Sequence, residues 1–469
     1  LKKLLFFLLG FYAALGQADT TVICIPCNQI TEDQALVRLK NSIGKEPFRI
    51  VHIGDSHIQI GHFAKQIRDV FAAHVTLTGT GISFPYSMAK SVDGPWFKSK
   101  SNGIWVGDKI LSSKPKIDLG LTGYSVMTQD SAASISFQLR DSKANFAGVK
   151  VWFSSDSLSF FPDLGDNFNL LNFTQMDHKM GVAHFVAKNR FEQFELKLLK
   201  KDSLDQSFQL HGIELVYSQG SLDYHALGVA GAQFTHLINH SNSWREQLKL
   251  LNPNLLIFSY GTNEAYNANF ESSVFVKQVS RFFDEIRQAL PNVAILLTSP
   301  PDTRSQNRIP PKQGEVIQGQ TQLKSSFYDL HKVMGGFGSY LPWIEHNYFL
   351  KDKLHLNKAG YELQADLFML ALMGSLQPAW DTKALHASVM ERANALLWKK
   401  NSTDSAAKDS IIVLSKKLET KKTVFHRVKK GDTFYSIAAR YHINMEALVQ
   451  KNRRFKSKAL QVGDRIRIN

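Results

Sequence analysis

Four short motifs, far apart in the chain, hold residue types that together support one chemistry: Gly54-Asp55-Ser56, Gly231, Gly261-Thr262-Asn263 and Asp352-Lys353-Leu354-His355. A serine hydroxyl is a weak nucleophile until an imidazole takes its proton, and the imidazole needs a carboxylate to fix its tautomer. Ser56, His355 and Asp352 supply those three groups. A tetrahedral oxyanion needs donors already aimed at it. The backbone N–H groups of Ser56 and Gly231 and the side-chain amide of Asn263 are the candidates. The set reads as acyl transfer through a serine. Each motif alone is common in surface turns, so the reading rests on four of them in order.

The flanking segments are those needed to bring the motifs together. Phe48 to Ile53 is a short apolar run with β-branched residues, the pattern of a buried parallel strand, and it ends at Gly54. Ser56 would then lie at the carboxyl end of a strand, where open α/β sheets place their ligands. Leu255 to Tyr260 is a second such run and delivers Asn263 to the same edge; Val293 to Thr298 is a third. Between them, Ser273 to Leu290 spaces its apolar residues as one helix face, and Lys358 to Ser375 forms the last helix after the Asp-His motif. Alternating strands and helices imply a parallel sheet covered on both sides.

The four motifs resemble the sequence blocks of the SGNH (GDSL-type) hydrolase superfamily. The resemblance implies a flavodoxin-like three-layer α/β fold and no cofactor or metal. It makes Ser56 the nucleophile, Asp352 and His355 the acid–base pair on one loop, and Ser56, Gly231 and Asn263 the oxyanion hole. Two positions depart from the usual pattern: His57 follows the nucleophile where leucine gives the family its name, and Glu264 stands where aspartate is usual. His52-Ile53-Gly54-Asp55-Ser56-His57, with Gly79-Thr80-Gly81-Ile82-Ser83-Phe84-Pro85 after it, resembles a branch found in bacterial cell-envelope esterases.

With 469 residues the chain has room for about three domains of ~150 residues. Lys2-Lys3, an apolar run from Leu4 to Leu15 and Gly16-Gln17-Ala18 form a signal-peptide pattern over 1–18, with no transmembrane anchor left after cleavage. Cys24 and Cys27 then read as a local disulfide of an exported protein. The stretch between Ser56 and Gly231 is several times the roughly 30 residues of one βαβ unit. Alternating segments such as Ala133–Leu139, Val149–Phe153 and Phe194–Leu198 make it an inserted β-sandwich. Its Trp96, Trp105, Trp152, Phe153, Phe160 and Phe161 are of types that stack on sugars, although core packing is the more common use of aromatics. The hydrolase is therefore expected in two parts, 19–93 and 225–376, around an insertion over 94–224. A helix and linker follow over 377–422.

Residues 423–469 resemble a LysM module along their whole length, from His426-Arg427-Val428 through Gly431-Asp432-Thr433 and Asn452 to Ile466-Arg467-Ile468. The resemblance implies a βααβ fold that binds glycans containing N-acetylglucosamine, with Gly431, Asp432, Thr433, Phe434 and Leu460 as candidate contacts. Val428, Ile437, Ala438, Leu448, Ile466 and Ile468 form its expected core. The formal net charge of +15 suits an acidic polymer, and a signal peptide points away from nucleic acid. His236 and His240 are four apart, but Leu237 stands where a zinc hydrolase motif needs glutamate, so they read as ordinary histidines. The sequence thus predicts an exported peptidoglycan O-acetylesterase of the periplasm or cell envelope. The alternatives are a lipid esterase or thioesterase and a non-catalytic wall-binding protein.

Overall fold

The computed structural model describes residues 21–45, 47–176, 179–240, 242–304 and 312–397, and in the C-terminal module residues 425–428, 432, 437, 448, 452 and 461–468. The chain divides into two compact units, 1–398 and 399–469.

The centre of the first unit is a six-stranded sheet in the order Ile30–Thr31, Ser326–Tyr328, Ala294–Thr298, Leu255–Ser259, Phe48–Gly54 and Leu222–Gly228. The two-residue edge strand is antiparallel, and the other five are parallel. In chain order those five run 2-1-3-4-5 across the sheet, the flavodoxin-like arrangement. The order in which successive strands are laid down reverses between Phe48–Gly54 and Leu255–Ser259, so a crevice opens beyond their carboxyl ends.

The central strands form as largely apolar runs because both faces of the sheet are covered. Ile50, Val51, Leu255, Leu256, Ile257, Phe258, Leu296 and Leu297 are all fully buried. Each contributes about 1.5–3 kcal/mol relative to exposure. The helix Ser272–Ala289 packs Val279, Phe282, Phe283 and Ile286 on one side of the sheet. Lys358–Leu376 packs Leu363, Leu367, Phe368 and Leu372 on the other, beside the helix His62–Ala72.

The long stretch between the first two motifs forms two antiparallel sheets. One has six strands, in the order Val106–Lys109, Tyr124–Thr128, Phe208–Val216, Gly148–Ser154, Met180–Ala187 and Phe168–Met176. The other has four, in the order Phe97–Asn102, Ser134–Leu139, Gln193–Leu199 and Phe161–Asp163. Their inner faces share an aromatic core in which Phe137 stacks on Phe194 and Phe153 on Phe208. Trp152, Phe153 and Phe160 are core residues, whereas Trp96, Trp105 and Phe161 are half-buried at its margins.

Cys24 and Cys27 are joined by a disulfide, and the Cys24 N–H donates to Val333 O at 2.9 Å. In the second unit Phe425–Arg427 pairs antiparallel with Arg465–Arg467 over a core of Val428, Ile437, Leu448, Ile466 and Ile468. Asn452 stitches it from within, donating to Leu448 O and Arg467 O and accepting the Arg467 N–H, each at 2.8 Å. Ala438, the signal-peptide segment and the linker lie outside the described residues. Among the described residues no helix is long and apolar enough to cross a membrane.

Candidate active site

Ser56 opens a four-residue helix, Ser56–Gln59, directly after the central strand. Asp55 caps it by accepting the His57 N–H at 3.0 Å. The sharp turn from strand to helix needs bare backbone on both flanks. A Cβ on Gly54 would lie 2.5 Å from Ile58 Cγ1 and 2.7 Å from Ser259 O, and one on Gly228 would lie 2.2 Å from Gln59 N.

His355 and Asp352 come from the loop before the last helix. Phe349 and Leu356 pair across that loop, and Lys353 takes a left-handed φ of 54° at its tip. Asp352 Oδ1 accepts the backbone N–H groups of Leu354 at 2.9 Å and His355 at 3.0 Å. Its Oδ2 meets His355 Nδ1 at 2.7 Å, and His355 Nε2 meets Ser56 Oγ at 2.8 Å. The structure thus joins Ser56, His355 and Asp352 in one hydrogen-bonded chain. Burial raises the Asp352 carboxyl, but the bonds from the His355 ring and from the two N–H groups outweigh it and hold the group below the usual carboxylate range. That favours the ionised form next to the imidazole. The chain faces solvent: the side chains of Asp352 and His355 are 47% and 21% exposed.

Gly231 lies in the turn after the strand Leu222–Gly228, with φ +84°. Glycine adopts that conformation without strain. The Ser56 and Gly231 N–H groups have no acceptor among the described residues. Asn263 sits in the turn after Leu255–Ser259, and its Nδ2 donates to Ala232 O at 3.0 Å and to Asp55 Oδ2 at 3.4 Å. Gln233 holds the Asn263 backbone, donating to its carbonyl at 2.9 Å.

The two unusual positions have structural reasons. Glu264 Oε1 accepts the Phe234 N–H at 2.8 Å, so its longer side chain ties the Asn263 turn to the helix that follows Gly231. His57 is buried, with Nδ1 against Tyr361 Oη at 2.9 Å and its ring 5.5 Å from that of His355. Burial, then the nearby His355, pushes the His57 imidazole down to about 3, so it stays neutral beside His355. Burial also pushes Glu264 up to about 7. Burial takes Asp55 to about 8, against the His57 N–H and with the charge of Glu264 adding to the rise. Burial thus favours the neutral acid at Asp55, directly before Ser56.

Gln59 has no counterpart in the motif reading. It lies three residues after Ser56, and that helical spacing is its only sequence signal. Its Oε1 accepts the Ala230 N–H at 2.6 Å.

Glu214, Asp223 and His225 bring three potential metal-ligand atoms within 4.8 Å of one another in the buried layer between the parallel sheet and the sandwich. Ile82 N–H donates to His225 Nδ1 at 3.0 Å, which places the ring proton on Nε2, where a metal would have to bind. Lys150 already balances Glu214 at 3.3 Å, so the cluster is a buried ion-pair network. His236 caps its own helix by accepting the Gln233 N–H. In the C-terminal module Asp432 is held by His426 at 2.7 Å, and Gly431, Thr433, Phe434 and Leu460 lie outside the described residues.

Residues 426–469 match the LysM domain family, and the C-terminal unit is a LysM domain. No curated protein matches the chain significantly. Among solved structures it is similar to a peptidoglycan O-acetylesterase at 20% identity, over 80% of this chain and 99% of that one, with a TM-score of 0.56. A lipase/acylhydrolase from Enterococcus faecalis matches at 20% identity over 34% of this chain and 80% of that one, TM-score 0.28. A family two carbohydrate esterase from Cellvibrio japonicus matches at 10% identity over 59% and 98%, TM-score 0.24. The first likeness establishes a shared fold, and the other two are too distant to add to it.

Proposed function

We propose that this chain is an exported serine esterase that removes O-acetyl groups from peptidoglycan glycan strands. The observation that carries the reading is the chain Ser56 Oγ, His355, Asp352, with contacts of 2.8 and 2.7 Å, at the switch point of the parallel sheet. His355 Nε2 accepts the Ser56 proton as Oγ attacks the acetyl carbonyl, and Asp352 stabilises the imidazolium. The N–H groups of Ser56 and Gly231 hold the oxyanion together with the Asn263 amide, which gives up its 3.4 Å contact with Asp55 to do so. As the intermediate collapses, His355 returns the proton to the departing sugar oxygen, leaving acetyl-Ser56. Water then adds to the acetyl carbonyl as His355 takes its proton, and on collapse the bond to Ser56 Oγ breaks, His355 returns the proton to Oγ and acetate leaves.

The LysM domain and the solvent-facing serine favour an ester carried on a wall polymer. A small apolar cavity of about 30 Å³ lies behind Asp55 and His57, but neither Ser56 nor His355 lines it, so it offers no acyl tunnel to the reacting atoms. That weighs against long-chain lipid substrates. The domain limits that go with this reading are those expected from sequence, with the protein acting in the periplasm or cell envelope and the inserted sandwich over 94–224 assisting glycan binding. Acetate release from O-acetylated sacculi, from acetylated xylan and from acyl thioesters tests it. Sacculi should be preferred and Ser56→Ala should reduce release to background. Turnover surviving in Ser56→Ala, or a preference for thioesters, would remove the proposal.

A further inference from the structure

The Gln59 side chain bonds in three directions. Its Oε1 accepts the Ala230 N–H at 2.6 Å and the Tyr124 hydroxyl at 3.4 Å, and its Nε2 donates to Ser91 Oγ at 2.8 Å. Gln59 is the last residue of the helix that Ser56 opens, and Ala230 immediately precedes Gly231. One side chain therefore bridges the nucleophile helix and the turn that presents the Gly231 N–H.

That turn needs the bridge. A glycine at φ +84° leaves its peptide plane rotationally soft. The N–H of Ala232 is fixed on the far side by Val229 O at 3.0 Å. On the near side Ala230 is exposed, and its N–H bonds to Gln59. Anchoring both neighbours sets the direction of the Gly231 N–H between them. The helix has no slack either, because bare Gly228 backbone lies directly against Gln59 N. Behind Gln59, Tyr124 belongs to a strand of the inserted sandwich and is 1% exposed, and Leu111 of the same insertion lies 3.7 Å from where a Gly231 Cβ would be.

We infer that Gln59 is a positioning residue that clamps the oxyanion turn to the nucleophile helix, with Tyr124 of the inserted sandwich and Ser91 holding the clamp. The inference rests on the esterase reading and gives the insertion a part in the chemistry separate from any glycan contact. Gln59→Leu removes the acceptor at similar volume. Gln59→Glu keeps an acceptor for Ala230 and loses the donor to Ser91.

The test combines p-nitrophenyl acetate kinetics with hydrogen exchange of the Ala230 amide in the full-length protein. Gln59→Leu should lower kcat about tenfold to a hundredfold, as expected for a displaced oxyanion donor, with KM within about twofold. Gln59→Glu should restore most of kcat. The Ala230 amide should exchange at least about tenfold faster in Gln59→Leu than in wild type or Gln59→Glu, because its single protecting bond is gone. A wild-type kcat in Gln59→Leu, or an Ala230 amide equally protected there, overturns the clamp. If the wild-type protein cleaves no acetyl ester the esterase reading fails separately, and the exchange comparison still decides whether the clamp exists.

Discussion

Asp352→Asn preserves the shape of the acid loop and reverses one proton. Asp352 Oδ1 accepts two backbone N–H groups, at 2.9 and 3.0 Å, while Oδ2 faces His355 Nδ1. An asparagine has one oxygen for these duties. Turning its NH2 group toward the two amides would forfeit two hydrogen bonds of about 1 kcal/mol each and set donor against donor. The oxygen therefore stays on the amides and the NH2 faces Nδ1, which must accept. The ring proton then sits on Nε2, aimed at Ser56, where it blocks removal of the serine proton. Reversing that tautomer costs about 2–3 kcal/mol, and the lost pairing of the imidazolium with a half-exposed carboxylate adds about 1 kcal/mol. Together these predict a fall in kcat of about 200- to 1,000-fold. Asp352→Ala leaves the tautomer free, and with a loop this exposed, water reaches Nδ1, so its loss should be about tenfold to a hundredfold. Initial rates on a small acetyl ester, with the His355 ring nitrogens observed by NMR, check the order wild type, Ala, Asn. An Asn variant as active as the Ala variant would refute the tautomer argument.

Gly228→Ala should drive the nucleophile helix off its position, because the new Cβ meets backbone atoms of Gln59 and Asp55. Denaturant melts should show a loss of about 1–3 kcal/mol, and ester kinetics a fall in kcat of about a hundredfold. Burial raises Glu264 from 4.5 to about 7 and Asp55 from 3.8 to about 8, so the folded chain keeps protons that the unfolded chain releases. Their contribution is complete below pH 4 and is lost as pH rises through 7 to 8. Glu264→Gln keeps the acceptor for Phe234, so its Tm should gain on wild type between pH 5 and pH 8, and parallel Tm profiles would contradict the shift. A chain ending near residue 398 should cleave soluble acetyl esters at the full-length rate and lose retention on insoluble peptidoglycan, as pelleting assays would show, because tethering acts only on the bound polymer.

Burial patterns were the most legible part of the sequence. The strands Phe48–Gly54, Leu255–Ser259 and Ala294–Thr298 are mostly apolar and almost wholly buried because both faces are covered, and Ser134–Leu139 alternates because one face of its sheet is covered. The edge strand Ile30–Thr31 is two residues long, too short for any periodicity, and only its pairing with Phe327 and Tyr328 defines it. Ser56 and Asn263 were placed by the strands that end just before them, whereas Asp352 and His355, in the loop before the last helix, were marked by their mutual spacing alone. Side-chain partners chosen in three dimensions left no such trace. His57 meets Tyr361 across the whole catalytic unit, and Gln59 looks like any polar helix residue until Ala230 folds onto it. The value of Glu264 over aspartate likewise depends on the distance to Phe234 N, a length no pattern encodes.

Thr21 pairs with Leu397, and the Val22 N–H donates to Leu396 O at 3.0 Å. Residues 21–22 and 396–397 of the first unit are therefore neighbours. A short peptide could join them, and new termini could be opened at an exposed turn such as Asp202–Leu204 without untying either sheet. The same pairing imposes an order on synthesis: the first-made segment of the unit waits for the last. Until residues 396–397 arrive, Val22 and Ile23 lack part of their cover.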